Sequence, residues 1–197
     1  TKKTKAIMPV HLTGRISEMF EIMKIANKYN IPIIEDAAQS IGSLYNNKPS
    51  GSLGMIGCFS AHPLKNLNAI GDGGYLTTNN KKIYQKIKNL STHGMQDNRN
   101  NVKNFGYVSR MDNLQASILN FRLKNLRNLV KIRRKNVDLY LENLNLKKIY
   151  FPKEKKQEFN TYHTFVIQVE KRDKLKKFLK LKNIDTAIHY PIPIHLQ

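Results

Sequence analysis

A chain of 197 residues with 40% hydrophobic residues can fold around one good core or two small ones, which argues against disorder. Its longest apolar runs are too short to cross a bilayer, so we expect no membrane partner. The net charge of +20 by itself favours an anionic partner such as a nucleic acid. The lysines, however, are spread along the chain, often beside Asn and Ile. A/T-rich codons encode all three residue types, so a biased genome is enough to explain the charge. We therefore expect no nucleic-acid partner.

The first part of the chain predicts a parallel β-α-β unit. Residues 5–11 and 31–34 are short apolar segments typical of buried strands, and residues 16–29 carry apolar side chains at helical spacing. Two apolar strands joined by a helix indicate a parallel sheet that is covered on both faces. Asp36 would then lie at the carboxyl end of the second strand, where such sheets bind their ligands.

The middle of the chain predicts further strands around a glycine-rich loop. Residues 56–61 and 74–78 have strand-like patterns, and residues 81–90 predict a helix with one apolar face. Ser60 lies near the end of the first of these strands. Lys65 follows it, just before the glycine-rich run Gly71-Asp72-Gly73-Gly74.

The last part of the chain predicts a long helix and then a small unit. Asp112 and Gln115 have the spacing of a capping box, which opens a straight or bent helical stretch to about Leu144. After Pro152 the pattern predicts a strand at 164–169, a helix at 173–181 and a strand near 185–189.

The single cysteine, Cys58, cannot form an internal disulfide, which fits a reducing cytosol. The chain opens on Thr1-Lys2-Lys3 without the apolar segment of a signal peptide. We therefore predict a cytoplasmic protein.

Four residues meet the chemical needs of pyridoxal phosphate. Lys65 offers an amine for a Schiff base, and Asp36 offers a carboxylate that keeps the pyridine nitrogen protonated. Gln39 can reach the phenolic oxygen, and Ser60 can donate its hydroxyl to the phosphate. Each also has a plainer explanation. Lys65 could be a solvated lysine and Asp36 a helix cap. Gln39 could be a surface amide, and Ser60 could be satisfied within its strand. Their joint order and spacing favour the cofactor site.

Five segments follow one another along the chain: Glu35-Asp36-Ala37-Ala38-Gln39, Phe59-Ser60-x-His62-Pro63-x-Lys65-Asn66, Gly71-Asp72-Gly73-Gly74, Ser109-Arg110-Met111-Asp112 and Gln115-Ala116. In this order they closely resemble the DegT/DnrJ/EryC1/StrS family of sugar aminotransferases, over nearly the whole chain. The resemblance implies the α/β fold of fold-type I pyridoxal phosphate-dependent transferases and a homodimer. It also implies transfer of an amino group, usually from glutamate, to a keto sugar carried on a nucleotide diphosphate.

The resemblance implies roles for individual residues. The four residues named above keep the roles given there, and Lys65 also becomes the proton shuttle of the reaction. Tyr190 and His195 match a segment near the sugar site of the family. Ordinary loop histidines are the plainer explanation for His189 and His195, and both explanations stay open at this point.

The chain departs from the family pattern at Val108, where members commonly have an Asn that reaches the partner subunit's cofactor phosphate. Valine cannot donate to a phosphate, which puts that contact in doubt. The family's N-terminal part, with its ring-stacking aromatic residue and phosphate-binding loop, is also absent. We therefore expect an internal fragment of a longer enzyme, and we expect residues 1–197 alone to be inactive or nearly so.

The resemblance also implies a domain organisation. Residues 1–111 are predicted to be the C-terminal part of the large pyridoxal phosphate-binding domain, with its mixed or parallel sheet. Residues 112–148 are predicted to be a long linking helix, and residues 149–197 an incomplete small α+β C-terminal domain.

Two other functions compete with the aminotransferase. A pyridoxal phosphate-dependent sugar dehydratase of the same superfamily typically replaces the lysine with histidine, so Lys65 favours transamination. A non-catalytic basic binding module would use the charge alone. The sugar, the nucleotide and the pathway stay open, because surface glycans such as lipopolysaccharide and antibiotic sugars both fit the family.

Overall fold

The computed structural model describes residues 1–96 and 99–197. The chain forms two compact units. The first comprises Thr1–Glu142 and Lys153–Phe165, and the second comprises Asn143–Pro152 and Val166–Gln197. The predicted boundaries at residues 111 and 148 stay a prediction for the complete protein.

The first unit contains six short strands and four helices among its described residues. The strands are β1 (Ile34–Asp36), β2 (Leu44–Tyr45), β3 (Lys48–Pro49), β4 (Ile56–Ser60), β5 (Gly74–Thr77) and β6 (Glu158–Phe159). The helices are α1 (Met19–Tyr29), α2 (Lys81–Leu90), α3 (Asn113–Leu123) and α4 (Leu126–Asn143), the last of which ends one residue into the second unit.

The main sheet has the strand order β1-β4-β5, with β1 parallel to β4 and β4 antiparallel to β5. The segment predicted as a first strand, residues 5–11, runs parallel to β1 but makes only two isolated bridges, Ile7 with Ile33 and Val10 with Asp36. The predicted β-α-β unit is therefore present, with a first strand that is too irregular to be continuous. A smaller sheet has the order β3-β2-β6.

Two apolar clusters hold the first unit together. One packs α1 against the chain leading into β1 and against β2, and its buried members are Ile16, Met19, Ala26, Ile33 and Tyr45. The other packs α3 and α4 against the loop between β4 and β5, and its buried members are Ala61, Leu67, Ala69, Leu119, Leu126 and Val130. The second cluster positions the loop that carries Lys65.

The long helical stretch predicted after residue 112 is two helices rather than one. Asn125 lies between them, and its backbone oxygen accepts the N–H of Leu129 at 3.1 Å. Asn is among the residues that favour helix N-caps, because its side chain competes with the helical backbone. A residue of this type after Lys124 therefore marks where α4 begins.

The second unit contains helix α5 (Arg172–Leu181) and a 3₁₀ turn at Ile194–Leu196. The strands predicted at 164–169 and 185–189 do not form in the described chain, where Tyr150 and Gln168 make one isolated bridge. A strand needs a partner for its backbone groups, and neither segment has a regular one. No helix in residues 1–96 and 99–197 is long and apolar enough to cross a membrane.

Gly57 in β4 has no room for a side chain. A Cβ atom there would lie 2.3 Å from Gly51 Cα and 2.5 Å from Gly51 O, which are backbone atoms that cannot rotate away. We expect Gly57→Ala to lower the free energy of unfolding by about 3 kcal/mol or more. Urea unfolding should show this loss.

The matched control is Gly73→Ala, because a Cβ atom at Gly73 would meet Met111 Cε at 3.5 Å, an ordinary contact. We expect this variant to stay within about 1 kcal/mol of the parent. Equal losses for the two variants would contradict the close approach at Gly57.

Candidate active site

Three of the predicted site residues lie at one edge of the main sheet. Asp36 ends β1 and Ser60 ends β4, and these strands are parallel, so both residues are at the carboxyl edge. Lys65 lies in the loop from β4 to β5, whose two ends meet there through a bond from Ala61 N–H to Gly73 O of 2.8 Å. This is the edge at which open α/β sheets bind ligands.

The Lys65 loop is held tightly on both sides of the lysine. Lys65 N–H donates to His62 O at 2.8 Å, which closes a turn just before it. Asn66 and Leu67 follow the lysine and are only 4% and 5% exposed. The lysine is therefore a half-buried residue on a fixed backbone, in contrast to the solvated lysines elsewhere on this chain.

Two side chains of helix α3 bind residues 68–70 of the same loop. Gln115 Oε1 accepts the N–H of Ile70 at 3.0 Å, and the Arg122 guanidinium donates to Asn68 O at 2.7 Å and to Asn68 Oδ1 at 2.8 Å. The predicted capping box is wrong, because Asp112 makes no side-chain capping bond and Gln115 is used on the loop instead. The sequence carried no signal for Arg122, whose partner lies 54 residues away.

Among the described residues, the Asp36 carboxylate accepts one hydrogen bond, and the rest of it stays available. Its Oδ1 accepts the N–H of Ala38 at 3.1 Å. Residues 37–39 form a turn and no helix follows it directly, so Asp36 is not a helix cap. Gln39 lies in this turn, with its side-chain oxygen buried.

Ser60 and Lys65 have groups that the described protein does not use. Ser60 Oγ accepts the N–H of His62 at 3.3 Å, which leaves the hydroxyl hydrogen for another acceptor. Within residues 1–96 and 99–197, Lys65 Nζ forms neither an ion pair nor a hydrogen bond, and no cation pairs with Asp36. The edge therefore offers an amine, a hydroxyl donor and a carboxylate, which is the donor set that pyridoxal phosphate requires.

Glu35, the neighbour of Asp36, lies in the motif Glu35-Asp36-Ala37-Ala38-Gln39, whose pattern alone indicates no role for it. Its side chain is fully buried together with that of His11. Burial by itself raises the pKa of Glu35, but hydrogen bonds from the His11 ring and from the N–H groups of Gly54 and Gly51 lower it. The net effect holds this pKa below its ordinary value, so Glu35 is a buried carboxylate.

One cavity of the first unit has a volume of 1150 Å³. It is lined by residues of β5, α2 and the segment 108–112, including Val108, and by none of Asp36, Gln39, Ser60 and Lys65. The Val108 side chain is 64% exposed. We place the candidate active site at the sheet edge, because Asp36, Ser60 and the loop that carries Lys65 lie there together.

Tyr190 and His195 belong to the second unit, where both are exposed. The Tyr190 ring packs edge-on against His189, with ring centroids 5.0 Å apart. Their contact with a sugar stays a prediction.

The chain matches the model of the DegT/DnrJ/EryC1/StrS aminotransferase family over residues 1–197. It is 42% identical over 197 residues to dTDP-3-amino-3,6-dideoxy-alpha-D-galactopyranose transaminase of Aneurinibacillus thermoaerophilus, and covers 54% of that protein. It is 40% identical over 198 residues to UDP-N-acetyl-3-dehydro-alpha-D-glucosamine 3-aminotransferase of Acidithiobacillus ferrooxidans, and covers 53% of it. All of this chain is matched in both cases.

Among solved structures, the chain is similar to S. venezuelae DesV in complex with a ketimine intermediate. The TM-score is 0.94 at 33% identity, over 100% of this chain and 53% of that one. The chain thus spans about half the length of the curated relatives it matches. The predicted α/β fold of fold-type I transferases is confirmed.

Proposed function

Because the chain belongs to the DegT/DnrJ/EryC1/StrS aminotransferase family, we propose that its protein is a pyridoxal phosphate-dependent sugar aminotransferase. It would transfer an amino group from glutamate to a keto sugar linked to a nucleotide diphosphate. The observation that carries this proposal is the amine of Lys65, which has no described partner, on the sheet edge that also holds the Asp36 carboxylate.

Pyridoxal phosphate, when bound, supplies an electron-withdrawing ring that accepts and releases the amino group. Lys65 Nζ would hold the cofactor and move the proton during the transfer. The Asp36 carboxylate would hold a proton on the ring nitrogen. The Gln39 amide would contact the phenolic oxygen, and Ser60 Oγ would donate to the phosphate.

These roles agree with the contacts at the edge. The hydroxyl hydrogen of Ser60 and the second oxygen of Asp36 are not taken up by described residues. The small residues Ala37 and Ala61 are fully buried beside them. The fixed backbone on both sides of Lys65 would limit the positions that its amine can take, which favours a productive geometry.

The substrate class is proposed from the relatives. The transaminase of Aneurinibacillus thermoaerophilus is named for a dTDP sugar and that of Acidithiobacillus ferrooxidans for a UDP sugar. We therefore propose a keto sugar on a nucleotide diphosphate for this chain as well. Amino-sugar synthesis in the cytoplasm, for a surface glycan such as lipopolysaccharide or for a natural product, is the proposed context.

A homodimer is proposed for the full-length protein, with Tyr190 and His195 near the sugar. Val108 cannot supply the side-chain donor to a phosphate that is usual in the family. If each cofactor site is built from both subunits, a group other than Val108 must bind the cofactor phosphate of the partner subunit. Since the chain covers about half of its relatives, we expect residues 1–197 alone to show little or no turnover.

Incubation of the full gene product with pyridoxal phosphate, glutamate and a panel of UDP- and dTDP-linked keto sugars tests the proposal. We expect 2-oxoglutarate and an amino sugar nucleotide in equal amounts, and neither when the keto sugar is omitted. Loss of water from the sugar without consumption of glutamate would indicate the dehydratase instead. Absence of both reactions across the panel would contradict the proposed substrate class.

A further inference from the structure

A buried pair, His11 and Glu35, lies directly beside Asp36 and is not used in the chemistry described so far. Both side chains are 0% exposed. The Glu35 carboxylate accepts four hydrogen bonds: from His11 Nε2 at 2.9 Å, Gly51 N at 2.8 Å, Leu53 N at 2.7 Å and Gly54 N at 2.5 Å. Four donors compensate the loss of water around a buried carboxylate.

The His11 ring is held from both sides. Nδ1 accepts the backbone N–H of Ser17 at 3.2 Å. In this arrangement Nε2 is the donor to Glu35 Oε2, at 2.9 Å. His11 thus connects the start of the α1 segment to the carboxylate in β1.

The same residue also binds the backbone of Asp36. His11 N–H donates to Asp36 O at 3.0 Å, and Asp36 N–H donates to Pro9 O at 3.0 Å. Successive side chains of a strand point to opposite faces, so Glu35 is anchored on one face while Asp36 projects from the other. The backbone of His11 therefore restrains Asp36, and the ring of His11 restrains Glu35.

We propose that His11 and Glu35 are a positioning pair that holds the Asp36 carboxylate in line with the ring nitrogen of the cofactor. The proposal rests on the proposed function and adds these two residues to it. Neither touches the cofactor, and both act through the backbone of β1. The strength of a charged hydrogen bond depends on distance and direction. A small shift of Asp36 would therefore weaken its bond to the protonated nitrogen of the cofactor more than it would weaken the packing of the cofactor ring.

A merely structural role predicts something different. A buried polar network can be kept for stability alone, and its loss would then weaken every interaction of the cofactor to a similar extent. The two roles can be separated by a probe that lacks only the ring nitrogen. The 1-deaza analogue of pyridoxal phosphate has C–H in place of that nitrogen, so its affinity does not include the bond to Asp36.

Two variants of His11 offer a matched pair. In His11→Gln the side-chain amide reaches the position of Nε2 and can still donate to Glu35. In His11→Asn the amide is one carbon shorter, so it replaces Nδ1 opposite Ser17 but has no donor for Glu35. If His11→Asn does not fold, Glu35→Gln, which removes the carboxylate charge, is measured in its place.

The experiment is titration of the full gene product with pyridoxal phosphate and with the 1-deaza analogue, with thermal melting of each apo variant as the folding check. We expect the parent to prefer pyridoxal phosphate by about tenfold or more. His11→Asn should reduce this preference to below about threefold, and His11→Gln should keep most of it.

Equal loss of affinity for both ligands in His11→Asn, with the preference retained, would overturn the positioning role and leave the proposed function standing. A preference that falls equally in His11→Gln and His11→Asn would also overturn it, because the donor to Glu35 would not matter. A parent protein that binds neither ligand would instead contradict the proposed function itself.

Discussion

Lys65→Ala should abolish amino transfer while leaving the fold unchanged. The amine has no described protein partner to lose, and the neighbouring turn is closed by the Lys65 backbone N–H, which alanine retains. Alanine can neither hold the cofactor nor move a proton. We therefore expect kcat/KM to fall by at least about 10³-fold, the order of loss when a nucleophile and an acid–base group are removed together.

The measurement is steady-state amino transfer by the full gene product, with Lys86→Ala as the control. Lys86 is an exposed lysine on α2, and its removal should leave kcat/KM within about twofold of the parent. Borohydride treatment should also attach the cofactor to a peptide containing Lys65 in the parent only. Normal turnover by Lys65→Ala would remove the aminotransferase proposal.

Much of the first unit follows from patterns along the chain. Helix α2 begins and ends where its apolar spacing predicts, and in the structure the Asn80 side chain caps its first turn. Helix α1 begins later than its apolar pattern, at Met19, and the Ser17 backbone N–H just before it is bound by the ring of His11. Local patterns thus predict that a helix exists more reliably than they predict where it starts.

The candidate site divides in a similar way. Asp36 and Ser60 could be placed together from the sequence, because the carboxyl ends of parallel strands share one edge. The residues that support them could not be, since their contacts join distant parts of the chain. His11 and Glu35 are 24 residues apart, and Arg122 and Asn68 are 54 residues apart. The spacing of apolar residues along the chain does not indicate such pairs.

The second unit was harder to predict. The segments around Gln168 and Ile184 have apolar residues at strand-like spacing, but a pattern alone does not provide a pairing partner. In the described chain, Gln168 finds only the short bridge to Tyr150. A strand that depends on a neighbour outside the 197 residues cannot be distinguished by sequence from one that has its neighbour within them.

Asp36→Asn should lower kcat strongly while leaving the local structure in place. Asparagine has nearly the same shape, and its Oδ1 can still accept the N–H of Ala38, so the turn after β1 should persist. What it lacks is the negative charge that keeps the ring nitrogen of the cofactor protonated. Without that charge the ring withdraws electrons less well, and we expect kcat to fall by about 10²-fold or more.

The measurement separates kcat from KM for the keto sugar, with Asp138→Asn on α4 as the matched control. Asp138 is exposed, so the same chemical change there should leave both constants within about twofold of the parent. For Asp36→Asn we expect kcat to carry the loss and KM to change little, because Asp36 acts on the ring and not on the sugar. A rise in KM at constant kcat would place Asp36 in substrate binding instead. That result would also remove the basis for a positioning role of His11 and Glu35. The Asp36→Asn variant therefore tests both the proposed role of Asp36 at the ring nitrogen and the proposed role of the pair that positions it.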